Sequence, residues 1–118
     1  MDKDVISSKL ESLRRCLQRI KDKTPLSDAI LSNDNDLQDI ICLNIERAVQ
    51  VCVDIASHII ASSDSPAPGS MGECFEQLGN LGLIPEELTS RMKKAVGFRN
   101  IAVHSYQEIS SGLLTRHP

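Results

Sequence analysis

The chain has no tryptophan, one tyrosine and two phenylalanines, so aromatic residues make up only 3% of it. A core without large aromatics must be assembled from Leu, Ile, Val and Ala, which suits helix-on-helix packing. Apolar stretches are short and interrupted by polar residues, and none is long enough for a membrane span. Met1-Asp2-Lys3-Asp4 is polar and of mixed sign, with no apolar region behind it, so export is not expected and a cytoplasmic location is. The four cysteines, Cys16, Cys42, Cys52 and Cys74, form no C-x-x-C pair and have no clustered histidines. They read as reduced, buried thiols, and no metal or other cofactor is expected. Gly-rich phosphate loops, G-x-S-x-G and H-E-x-x-H are also missing. Between Arg91 and Gln107 there is not one Asp or Glu.

What remains is an ordinary globular composition over 118 residues, 41% hydrophobic and 25% charged. That length supports one domain. The net charge of −3 excludes indiscriminate coating of nucleic acid. The acid-free stretch, carrying Arg91, Lys93, Lys94 and Arg99, is a local place where a phosphate backbone could be drawn in.

Periodicity is helical throughout. Leu10, Leu13, Cys16 or Leu17 and Ile20 recur at steps of three and four, which predicts a helix over 4–23 stopped by Pro25. Residues 26–35 read as a polar connection. Leu37, Ile41, Ile45, Val49, Cys52, Ala56 and Ile59 mark one row of a long helix over 36–62, and Ile40, Val51 and Ile55 a second. A helix apolar over so much of its circumference is central in a bundle or shared with a partner chain. A short helix follows over 71–79. Pro85-Glu86-Glu87 opens another, with Gly97 expected to interrupt it and a turn or two carrying Ile101, Val103 and Tyr106. Residues 110–118 read as a short flexible tail after a domain spanning 1–109. Asp54 and His58, four apart, read as a structural pair, and Glu46 and Arg47 as surface or interface charges.

One stretch concentrates chemistry: Gly97-Phe98-Arg99-Asn100-Ile101-Ala102-Val103-His104-Ser105-Tyr106. Histidine exchanges protons near neutral pH, and the arginine fork matches phosphate oxygens. The pair suits metal-free cleavage of a phosphodiester by the ribose 2′-hydroxyl, with His104 as acid or base and Arg99 stabilising the transition state. On an ideal helix Asn100 and His104 share a face, but Arg99 and His104 diverge by about 140°. They converge only if Arg99 sits in a turn after Gly97, or if two chains share the site. On the residues alone, a lone histidine is more often structural, Tyr106 a packed aromatic and Asn100 a cap.

Arg99-Asn100-x-x-x-His104-x-Tyr106 resembles the R-x4-6-H signature of HEPN domains, in the R-N-x-x-x-H-x-Y form of the HepT toxin family. The preceding Met92-Lys93-Lys94-Ala95-Val96-Gly97-Phe98 and the segments Asn44–Ala48 and Cys52–Ala56 are similar to that family too. The resemblance implies an all-α, up-and-down helical bundle that pairs as a two-fold homodimer. It implies a toxin that is a metal-independent endoribonuclease, with Arg99 and His104 catalytic and Asn100 supporting. From their charge, Arg91, Lys93 and Lys94 read either as RNA contacts or as a solvated face. The implied partner is an MNT-type nucleotidyltransferase antitoxin that silences the toxin by transferring AMP to Tyr106. The alternative is a HEPN binding module without nuclease activity. The family continues into a closing helix after the motif; here that helix is expected to be short or missing.

Overall fold

The computed structural model describes residues 2–25 and 27–116, with side chains described as far as His104. Five helices follow one another among the described residues: α1 (Lys3–Lys23), α2 (Asp28–Asn33), α3 (Asn35–Ala61), α4 (Met71–Asn80) and α5 (Glu86–Arg116). No strand occurs among the described residues, so the all-α expectation holds.

Each start has a local cause. Asp2 caps α1 by accepting from the Asp4 and Val5 amides at 2.9 and 3.3 Å. Asp34 caps α3 through the Leu37 amide at 2.9 Å. Ser70 caps α4 by accepting from the Glu73 amide at 3.2 Å, while Glu73 reaches back to the Gly69 amide at 2.6 Å. Such caps satisfy donors that a helix start leaves without partners. Between α4 and α5, Gly82 takes φ 75°, a left-handed conformation open to glycine. That bend lets the Leu83 amide return to the Leu78 carbonyl at 3.0 Å and stops α4.

α3 is the axis of the bundle. α1 packs on α3 alone, whereas α4 and α5 pack on α3 and on each other. The core lies in that second layer: Val49, Val53, Ala56 and Ile60 of α3, Cys74, Phe75 and Leu78 of α4, and Val96 of α5. α1 contributes no buried residue. Gly79 lets α4 and α5 approach closely, since a Cβ there would lie 2.7 Å from Thr89 Oγ1.

Three expectations are corrected. The polar connection over 26–35 contains α2, a short helix capped by Ser27, whose Oγ accepts from the Ala29 amide at 3.2 Å. Gly97 does not interrupt α5, which runs on for 31 residues. A helix-interior glycine costs only about 1 kcal/mol, and Val96 beside it is anchored in the core. The backbone of 110–116 belongs to α5, although its composition reads as a loose tail. No separate closing helix follows α5 among the described residues.

Candidate active site

All the motif residues ride on α5, whose inner side is fixed by Val96 in the core and by half-buried Met92 and Ala95 against it. Arg99 lies seven residues after Met92 and three after Val96, so it continues this inner side. It is half-buried accordingly. Its Nη1 donates to Asn100 Oδ1 at 3.2 Å. Its Nε is buried without a hydrogen-bond partner among the described residues. The guanidinium is thus held by its stem and by Asn100, with donors to spare for an anion.

Asn100 and His104 are exposed and one turn apart. Because α5 is continuous, Arg99 and His104 keep the divergence of about 140° that five helical residues impose. The local turn that would have brought them together within one chain does not form. Phe98 and Ile101, 44% and 70% exposed, occupy the outward side of the same helix. Two large apolar side chains beside the motif are a surface suited to protein contact. The side chain of Tyr106 lies outside the described residues.

The candidate RNA contacts differ from one another. Arg91 pairs with Glu87 one turn back, at 2.8 Å. Lys93 reaches across to Glu76 of α4. No ion pair engages Lys94 among the described residues. Both recorded pairs are solvent-exposed, worth at most about 1 kcal/mol, so an arriving phosphate can exchange for either carboxylate.

Away from α5, Asp54 is paired with Lys9 of α1 at 3.1 Å and accepts from Gln50 at 3.0 Å. No bond joins it to His58 among the described residues, which corrects the expected pair. All four cysteines are free thiols. Burial pushes the Cys52 thiol up, and burial with Asp39 and Glu46 nearby does the same at Cys42. No group of three or more His, Cys, Asp or Glu that could hold a metal ion is found among the described residues. No helix among them is long and apolar enough to cross a membrane.

A helical bundle with Arg-Asn-x-x-x-His-x-Tyr on its long last helix is the architecture of the HEPN class. The ribonuclease HepT-like family model matches residues 11–116, and the chain belongs to that family. It is 37% identical over 107 residues to the mRNA nuclease HepT of Shewanella oneidensis, across 91% of this chain and 80% of the relative. It is 28% identical to the tRNA nuclease HepT of Aphanizomenon flos-aquae, across 89% and 71%. Among solved structures it resembles the tri-AMPylated S. oneidensis HEPN toxin in complex with MNT antitoxin, with TM-score 0.82 and 33% identity over 99% of this chain and 90% of that one. A toxin–antitoxin structure with AMP-PNP gives TM-score 0.83 and 37% identity over 90% and 80%.

Proposed function

We propose that this chain is the toxin of a toxin–antitoxin pair, a metal-independent endoribonuclease of the cytoplasm that works as a homodimer. The observation that carries the reading is the unbroken α5. It presents Asn100 and His104 outward and holds Arg99 on a different side, so one phosphate is best served by two copies of the helix.

In that arrangement His104 of one chain takes the proton from the ribose 2′-hydroxyl, and the 2′-oxygen attacks phosphorus. The bond from phosphorus to the 5′-oxygen breaks, and His104 of the partner subunit returns a proton to that oxygen. A single histidine cannot be free base and protonated acid at once; two-fold symmetry supplies both. Arg99 neutralises charge gathering on the phosphoryl oxygens, with Asn100 orienting its fork. The products are a 2′,3′-cyclic phosphate and a 5′-hydroxyl, and DNA is not a substrate. Phe98 and Ile101 are the apolar residues beside the motif that a second copy would cover.

Control falls to an MNT-type nucleotidyltransferase that transfers AMP from ATP to Tyr106 and releases pyrophosphate. An anionic adenylate two residues from His104 would repel the RNA backbone. The similarity to a tri-AMPylated toxin bound to its antitoxin supports this part of the reading.

The test is RNA cleavage in excess EDTA by the chain, checked by intact mass for absence of AMP, against His104→Ala of matched folding. Cleavage by the wild type alone, leaving a cyclic phosphate, is expected, with a loss of about 10²–10⁴-fold in the variant. Equal activity in both removes His104 from the reaction. Inactivity of both turns the reading to a HEPN binding module.

A further inference from the structure

An open groove of about 790 Å³ lies between the end of α4 and the start of α5. Glu76, Asn80, Glu86, Ser90, Lys93 and Lys94 stand around it. Seven residues return a helix to nearly the same side. Glu86, Lys93 and Asn100 therefore form one row along α5, and Ser90, Gly97 and His104 form the row beside it. The groove and the exposed residues of the motif share a face. Lys93 lies about 10 Å along the axis from Asn100, and Ser90 about 21 Å from His104, at 1.5 Å per residue.

Gly97 sits on that face between groove and motif. It is exposed, and a Cβ placed there would meet nothing within 4 Å. Among the described residues positive φ occurs only at Gly82, so the backbone at Gly97 does not require glycine either. A glycine in mid-helix costs about 0.5–1 kcal/mol relative to alanine. Nothing among the described residues packs into the place of the missing side chain; what it provides is a bare patch of helix backbone between the groove and His104.

We infer that this patch is the track for single-stranded RNA flanking the scissile bond, and that the α4–α5 groove holds one of the flanking nucleotides. The inference rests on the ribonuclease reading above. Lys94 is available for phosphate, and Lys93 becomes so when phosphate displaces Glu76 from their exposed pair. The carboxylate of Glu86, which has no ion pair among the described residues, accepts a hydrogen bond from an exocyclic amine of an unpaired base. A nucleotide carries both chemistries, phosphate and amine donor, and the groove offers a partner for each.

The test is binding of a fluorescein-labelled 2′-O-methyl oligonucleotide of mixed sequence, followed by anisotropy. Its blocked 2′-oxygen prevents cleavage, so binding is read without chemistry. Gly97→Gln improves helix propensity while filling the patch, and is expected to weaken binding about tenfold with the sedimenting mass of the wild type. Replacing Lys93 and Lys94 together by Gln is expected to weaken binding and to flatten the salt slope by about 1.4, or about 0.7 per lysine. Glu76→Gln, which releases Lys93, is expected to tighten it. Unchanged affinity in Gly97→Gln overturns the track, as does weaker binding by Glu76→Gln. An altered mass in Gly97→Gln also overturns it and assigns the patch to contact between copies. Because cleavage is not needed, a chain that binds in this pattern yet fails to cut would overturn the ribonuclease reading and leave the track standing.

Discussion

The two sides of α3 are built differently. Toward α4 and α5 it buries Val53, Ala56 and Ile60 against Cys74, Phe75, Leu78 and Val96. Toward α1 it meets a helix with no fully buried residue, packed along a half-buried stripe that includes Leu13, Cys16 and Ile20 and joined as well by the Lys9–Asp54 ion pair. Burial of apolar surface carries most of the stabilisation in a small domain, while exposed ion pairs add little. The motif helix is thus mounted on the side that holds the buried core. A catalytic constellation gains from rigid support, because small misplacements of reacting groups are costly in rate. The α1 side, with Leu10 and Leu17 exposed beside its packed stripe, has no such duty in a single chain.

The sharpest way to break this contrast is Phe75→Ala. Phe75 is only 3% exposed and sits between α3 and α5. Its truncation is expected to cost about 3–5 kcal/mol, read by urea denaturation, and to take RNA cleavage down with the fold. A loss under 1 kcal/mol would mean that the α4–α5 layer is not the core that holds the motif.

Next in size is Arg99→Gln. It keeps a long polar side chain beside Asn100 but removes the charge. Cleavage is expected to fall about 10²–10³-fold, the usual loss for one transition-state donor, at nearly unchanged stability. If stability falls instead by several kcal/mol while the remaining folded protein cuts normally, the half-buried guanidinium is structural.

The contrast between the sides also explains what was legible in the sequence. The first helix, expected over 4–23, is Lys3–Lys23; the long one over 36–62 is Asn35–Ala61; the third over 71–79 is Met71–Asn80. These follow from apolar period and capping residues, both local. α2 escaped notice because Ala29, Ile30 and Leu31 are too few to show a period, and Ser27 alone marks its start. Gly97 misled because propensity is weak and tertiary anchoring through Val96 overrides it. Spacing cannot show the partner of Asp54, because Lys9 is 45 residues away and no spacing rule reaches across helices. In the site, the residue types and the shared face of Asn100 and His104 were readable. Whether a local turn follows Gly97 is not readable, since it depends on α5 staying whole.

The smallest expected effect probes the α1 side itself. Asp54→Asn keeps the shape and can still take a hydrogen bond from Gln50, but it ends the attraction of Lys9. Both partners are more than a third exposed, so the pair is screened and the loss should stay below about 1 kcal/mol in urea denaturation. It should shrink further at 1 M salt, where the screening length falls to about 3 Å. Cleavage should be unaffected, because α1 makes no contact with α5 among the described residues. A loss above about 2 kcal/mol would show that α1 is held as firmly as α4 and α5. A change in oligomeric mass would show that the α1 side is an interface between copies. The first result would remove the asymmetry about α3, and the second would confine it to the single chain, with the α1 side covered where copies meet.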